Sequence, residues 1–161
     1  MTLREHFIFW ATKVIYIFFF IVLPVLTIGL LKAILFYSIA AFSCGWIISV
    51  IFQLAHIVED TSFPVPSESS NKMEENWVIH QLSTTVNFST NSKIISWFSG
   101  GLNYQIEHHL FPKISHIHYP QISKLIKELC VEHDVQYVEY PTLFCALRSH
   151  VKHLKTVGVQ R

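Results

Sequence analysis

Apolar positions in this chain form two long runs, followed by short periodic groups. From about Phe7 to Leu31 nearly every residue is apolar, with Lys13 near the start and Pro24 in the second half. From about Ala33 to Ala55 there is no charged residue at all. Each run exceeds the roughly 20 residues a helix needs to cross a bilayer. Only Lys32 divides them, so the pattern predicts a transmembrane hairpin with spans at about 7–31 and 33–56. Pro24 should kink the first span without ending it, which membrane helices tolerate. A signal peptide does not fit the first run, which is too long and lacks a small-residue cleavage site.

Positive charge sets the orientation. Arg4 and Lys13 flank the entry, and Lys72, Lys93, Lys113, Lys124 and Lys127 lie beyond the exit, against one lysine at the turn. Both ends of the hairpin are therefore expected on the cytoplasmic side. Phe9, Trp10, Tyr37 and Trp46 suit interfacial or packing positions.

Beyond Asp60 the pattern changes. The stretch "TSFPVPSESSNK" reads as a polar, proline-punctuated loop over residues 61–73. From about Glu74 to Phe98 a helix, a loop and a short helix are expected, broken at Gly100 and Gly101. Another helix should run from about Leu102 to Phe111 and stop at Pro112. Apolar spacing at Ile122, Leu125, Ile126 and Leu129 predicts a further helix, with Pro120 in its first turn. The segment "VQYVEYPTLF" looks extended, and a last helix should end at Gly158. The expected class is all-α: a membrane hairpin over residues 1–60, the loop, and a cytoplasmic helical region over 74–161.

Composition agrees with a membrane protein. Half of the residues (51%) are hydrophobic and only 14% are charged, too apolar for an ordinary soluble domain. A net charge of +1 gives no support for nucleic-acid binding. Ten histidines against twelve Lys plus Arg point instead to metal or proton chemistry. Cys44, Cys130 and Cys145 share no metal-site spacing and read as incidental thiols in a reducing compartment.

The histidines are unevenly placed. In "GLNYQIEHHLFP", a helix turning about 100° per residue puts Gln105, His108 and His109 on one face and Glu107 away from it. Converging imidazoles of this kind suit iron, zinc, copper or nickel. Two surface histidines are the competing reading. His56 lies at the cytoplasmic mouth of the second span, where an ionisable residue marks function more often than packing. Glu59 and Asp60, one turn on, are candidates to orient its ring. His80 can equally be a ligand or a satisfied polar residue. His116 and His118 read as loop groups, and His150 and His153 as a solvated or membrane-surface face. Asn87-Phe88-Ser89 matches a glycosylation sequon that a cytoplasmic location would leave unmodified.

The stretch "WFSGGLNYQIEHHLFPKISHIHYPQISKLIKELCVEH", with "FQLAHIVED" and "WVIHQLSTTVNF" upstream and "YVEYPTLFCAL" downstream, resembles the membrane-bound fatty acid desaturases of the front-end group, and is closest in flavour to acyl-CoA (linoleoyl-CoA-like) members. The glutamine-first third histidine box of that group, Q-x-x-H-H, is matched by Gln105, His108 and His109. The resemblance implies a di-iron oxygenase that introduces a cis double bond into an acyl-CoA or phospholipid acyl chain. It would use dioxygen and electrons from cytochrome b5 or a ferredoxin-type carrier. It implies iron ligation by His56, His108 and His109, with Gln105 in the first position of the box and His80 unsettled. A bacterial inner membrane is favoured over the endoplasmic reticulum.

The family's earlier boxes, H-x-x-x-H and H-x-x-H-H, are not in these residues, and His6 is the only histidine before His56. The chain thus reads as the C-terminal part of such an enzyme, inactive alone. Two alternatives stand beside this: a non-catalytic or partner membrane protein, and a mononuclear zinc or haem site on His56, His108 and His109.

Overall fold

The computed structural model describes residues 2–67, 73 and 76–159, so Lys72 and Glu74 and part of the expected 61–73 loop lie outside the described residues. The described chain is overwhelmingly helical and divides into two compact units, residues 1–47 and 48–161.

In the first unit, α1 (Leu3–Ile17) opens on a capping box, in which Thr2 Oγ1 accepts the Glu5 N–H and Glu5 Oε2 accepts the Thr2 N–H. A π-helical turn, Phe18–Val22, leads into α2 (Leu23–Ile28). Pro24 has no N–H to offer Phe20, and the Leu23 N–H reaches back five residues to the Phe18 carbonyl instead. The expected kink is therefore taken up as a widened turn.

The hairpin turns at Gly29, not at Lys32. Gly29 holds φ +85°, a conformation in which a side chain is strained, and α3 (Leu30–His56) starts immediately after it. The two stretches are Leu3–Ile28 and Leu30–His56, with mean hydropathies of 2.2 and 2.1, each long and apolar enough to span a membrane. Both start earlier than the sequence pattern suggested, because polar Arg4, Glu5 and Lys32 are carried within helices. Their apolar side chains, such as Leu31 and Phe42, are largely exposed, a surface suited to hydrocarbon. Tyr16 and Tyr37 meet through their hydroxyls at 3.3 Å across the turn.

The second unit begins in the last turns of α3 and continues with α4 (Trp77–Thr84), β1 (Asn87–Phe88), α5 (Lys93–Phe98) and α6 (Gln105–Leu110). A short 3₁₀ turn (His116–His118), α7 (Tyr119–Glu132), β2 (Glu139–Tyr140) and α8 (Leu143–Val159) follow. Asn76 caps α4 and Ser92 caps α5 through their side-chain oxygens. The two-residue strands pair in parallel, Asn87 with Glu139 and Phe88 with Tyr140. Leu82, Ile106, Ile126 and Cys130 form the buried core, with Leu110, Ile122, Val135 and Tyr137 packed around it. Burial of each large aliphatic side chain contributes about 1.5–3 kcal/mol.

The helix expected over 102–111 is shorter. Gly100 and Gly101 adopt φ +61° and +82°, and tight turns from Leu102 N–H to the Ser99 carbonyl and Tyr104 N–H to the Gly101 carbonyl delay its start to Gln105.

A dense set of contacts pins the chain just after α3. The Val86 N–H donates to the Ala55 carbonyl, the Glu59 N–H to Ser149 Oγ at 3.0 Å, and the Tyr140 hydroxyl to Asp60. Lys152 pairs with Glu59 at 2.5 Å. His150, expected on a solvated face, is instead buried, and its Nδ1–H donates to the Ile57 carbonyl at 2.6 Å. Cys44, Cys130 and Cys145 are all free thiols.

Candidate metal centre

Two helix ends and one short helix bring the singled-out residues together. His56 is the last residue of α3, and Gln105 and His109 lie one turn apart on α6. The amide nitrogen of Gln105 sits 3.2 Å from His56 Nε2 and 3.3 Å from His109 Nε2, and the two rings lie 5.0 Å apart between centroids.

The other ring nitrogens decide the tautomers. His109 Nδ1 is 2.9 Å from Gln81 Oε1, and His56 Nδ1 is 3.3 Å from the Thr84 carbonyl. Both partners only accept, so each Nδ1 carries the hydrogen and each Nε2 keeps a lone pair. An amide NH₂ directed at both Nε2 atoms fits the same assignment. Two neutral imidazoles thus point their free nitrogens at one spot while α4 holds them from behind, the arrangement by which metal-binding histidines are oriented.

This corrects the expected orienting partners of His56. Glu59 is taken by Lys152 and Asp60 by Tyr140, and a backbone carbonyl of α4 faces the ring instead. Burial, followed by the neighbouring rings of His56 and His108, lowers the pKa of His109 to about 4. It is therefore neutral at physiological pH, as a ligand must be.

His108 adjoins the pair but differs in its surroundings. Its ring stands perpendicular to that of His109 with centroids 5.8 Å apart, and its Nδ1 lies 3.2 Å from the Tyr119 hydroxyl. His80 makes no hydrogen bond to the pair. Its Nδ1 is buried without a partner, and with His56 and Thr84 it lines an open cavity of about 450 Å³. Among the described residues, no group of three or more His, Cys, Asp or Glu side chains is gathered closely enough to hold a metal ion.

Glu107 points away from the histidines into the core, where it is fully buried. The Asn87 amide donates to its Oε2 at 2.7 Å and the Tyr137 hydroxyl to its Oε1 at 2.9 Å. Burial raises its pKa against those hydrogen bonds, which favour the charged form. Asn87 is itself wholly enclosed, which gives the sequon a physical reason to stay unmodified.

Sequence reasoning missed Gln81, Thr84, Asn87 and Tyr137. Gln81 left one signal, as the polar neighbour of His80 on a short helix with an apolar face. The Thr84 contact is made by backbone, so its side chain carried none.

Comparison with known proteins follows the same lines. The fatty acid desaturase family model matches residues 2–141. The acyl-lipid (8-3)-desaturase of Physcomitrium patens is 43% identical over 99% of this chain and 33% of its own length. The sn-1 linoleoyl-lipid 6-desaturase of Synechocystis is 44% identical over 75% of the chain and 34% of its own length. Delta(5) fatty acid desaturase A of Dictyostelium discoideum is 36% identical over 91% and 32%. The chain thus spans about a third of the length of these relatives. No solved structure matches. The family match covers most of the chain, and the protein belongs to the fatty acid desaturase family.

Proposed function

We propose that this chain supplies the third-histidine-box part of a di-iron centre in a membrane desaturase that introduces a cis double bond into a lipid acyl chain. The observation that carries the reading is the convergence of His56 Nε2 and His109 Nε2, with both Nδ1–H groups held by carbonyl oxygens. Two of the relatives named above, those of Physcomitrium patens and Synechocystis, act by their names on acyl lipids, which favours a lipid-bound over a CoA-bound acyl chain.

Imidazole nitrogens and an amide oxygen are donor types that suit iron, around which they would have to draw closer than they stand in the structure. His56 and His109 would bind through Nε2. His108 would join through the nitrogen that Tyr119 leaves free, and Gln105 through its amide oxygen after the amide turns over. Iron bound there would supply the activation of dioxygen needed to remove hydrogen from an unactivated methylene. The protein's own part is to hold protons at the two Nδ1 atoms, keep His109 neutral and fix the ring planes. Across the whole reaction, dioxygen, two electrons and two protons enter, and the double bond and two waters leave. The electrons would come from cytochrome b5 or a ferredoxin-type donor. His80, with its unpartnered buried nitrogen, is a further ligand candidate.

The hairpin at residues 1–60 would anchor the chain in the membrane, with the helices after it on the cytoplasmic side. Three imidazoles and an amide, even with His80 added, cannot complete a two-iron site, so the 161 residues alone should not desaturate. The H-x-x-x-H and H-x-x-H-H boxes would come from another segment. A mononuclear zinc or haem site on His56, His108 and His109 has less support, because Glu107, the carboxylate beside the histidines in sequence, is held in the core by Asn87 and Tyr137 and does not face them as a general base.

Ferrous iron binding by the detergent-purified chain tests the reading. Wild type should bind, and His56→Ala and His109→Ala should each lose most of the affinity. Equal binding by all three would end it.

A further inference from the structure

The helix that carries Gln105, His108 and His109 is six residues long. Isolated helices that short do not hold themselves together in water. Its N-cap residue, Tyr104, makes no side-chain capping bond. Something outside the helix must therefore fix its rotation about its own axis, because one residue's slip of about 100° would turn Gln105 and His109 away from His56.

Beside the core contacts of Ile106, which are not directional, a buried polar network makes that fixation. Asn87 Oδ1 accepts the backbone N–H of Ile106 at 2.9 Å, and the Asn87 amide donates to Glu107 Oε2 at 2.7 Å and to the Tyr137 hydroxyl at 2.6 Å. Tyr137 donates to Glu107 Oε1 at 2.9 Å and lies 3.0 Å from Ser123 Oγ. With the Ser123 hydroxyl donating to Tyr137, every hydrogen on the Asn87 amide and the tyrosine hydroxyl has an acceptor, and both carboxylate oxygens have a donor. A network satisfied this completely in a low-dielectric core tolerates one geometry. Its members come from β1, α7 and the segment leading into β2, so it reads the position of α6 against three elements at once.

We propose that Glu107, Asn87 and Tyr137 are positioning residues that set the rotation of α6 and thereby aim Gln105 and His109 at His56. This inference rests on the metal-centre reading for its consequence, but not for its geometry. Glu107 touches neither His56 nor Gln81. It acts through the helix backbone, two residues back to Gln105 and two residues on to His109.

The test uses the 161-residue chain in detergent with two readouts. The first is the imidazole ¹⁵N signature of His109 in metal-free chain labelled at histidine, assigned with His109→Gln. Wild type should show the Nδ1–H tautomer. Glu107→Leu should shift His109 to a mixed tautomer population. Glu107→Gln, which can still accept from Asn87 and can donate to Tyr137 once the tyrosine hydroxyl turns to donate to Ser123 Oγ, should retain the wild-type signature. The second is ferrous iron affinity of the folded fraction, expected to fall about 10- to 100-fold in Glu107→Leu and to recover in Glu107→Gln.

Tyr137→Phe removes one hydroxyl from the same network and decides the matter if Glu107→Leu does not fold. It should give a smaller shift of the His109 signature in the same direction. An unchanged signature in the folded variants would overturn the inference whatever the iron result. If the signature responds while wild type binds no iron, the clamp stands and the metal reading falls.

Discussion

His109 Nδ1 lies 2.9 Å from Gln81 Oε1, and this one contact fixes the ring's tautomer, its orientation and the direction of its lone pair. Gln81 comes from α4, 28 residues earlier in the chain. The same helix offers the Thr84 carbonyl to His56. One short helix therefore prepares both imidazoles for a ligand arriving on their Nε2 side.

Replacing Gln81 by Leu should leave the fold intact and weaken ferrous iron binding about 10- to 100-fold, the usual cost of removing an orienting partner. Gln81→Glu keeps an acceptor at the same place and should retain most of the affinity. Competition titration against a chelator measures both. Wild-type affinity in Gln81→Leu would show that the contact orients nothing of consequence.

His109 also makes stability depend on pH. Its folded pKa, about 4, lies below the ordinary value of 6.5 that applies when the chain is unfolded. The unfolded state therefore binds a proton first as pH falls, so stability is full above about 6.5 and declines toward 4. The ring is only about half buried, so solvent screening makes the loss smaller than the shift alone implies. Thermal unfolding of metal-free chain should show this decline between pH 7 and 4, and His109→Gln should show a shallower one. Parallel curves for the two proteins would contradict it.

Gly100 and Gly101 separate two kinds of backbone constraint. Both have positive φ, but a Cβ on Gly100 would meet open space, whereas one on Gly101 would lie 2.6 Å from His116 Cβ. Gly100→Ala should cost about 1–2 kcal/mol from the left-handed backbone alone. Gly101→Ala should cost clearly more, because the 3₁₀ turn must move as well. Chemical denaturation of the two variants measures the difference, and equal losses would show that His116 yields freely.

Much of this architecture was legible in the residue pattern. The apolar runs gave the hairpin because membrane-length hydrophobicity is a strong and local signal. The spacing of Ile122, Leu125, Ile126 and Leu129 gave α7 for the same reason. That Gln105, His108 and His109 share one short helix was legible because they stand within five residues of each other. What escaped was non-local. The turn fell at Gly29 because backbone conformation outweighed the charge on Lys32. His150 is buried because it finds the Ile57 carbonyl, 93 residues away, which no spacing rule encodes. Glu107 read as a residue facing away from the histidines, which it is, but its partners Asn87 and Tyr137 lie 20 and 30 residues distant.

The most direct test of the central claim, that this chain provides iron-site residues to a desaturase, is a chimera. Residues 2–159 would replace the segment they match in the Physcomitrium patens acyl-lipid (8-3)-desaturase, which aligns with 99% of this chain, and membrane fatty acids would be analysed by gas chromatography. The account predicts new double bonds with the chimera, and none with the same chimera carrying His56→Ala or His109→Ala. A chimera that reaches the membrane at normal levels but makes no double bond would contradict it. So would one that keeps full activity without His109.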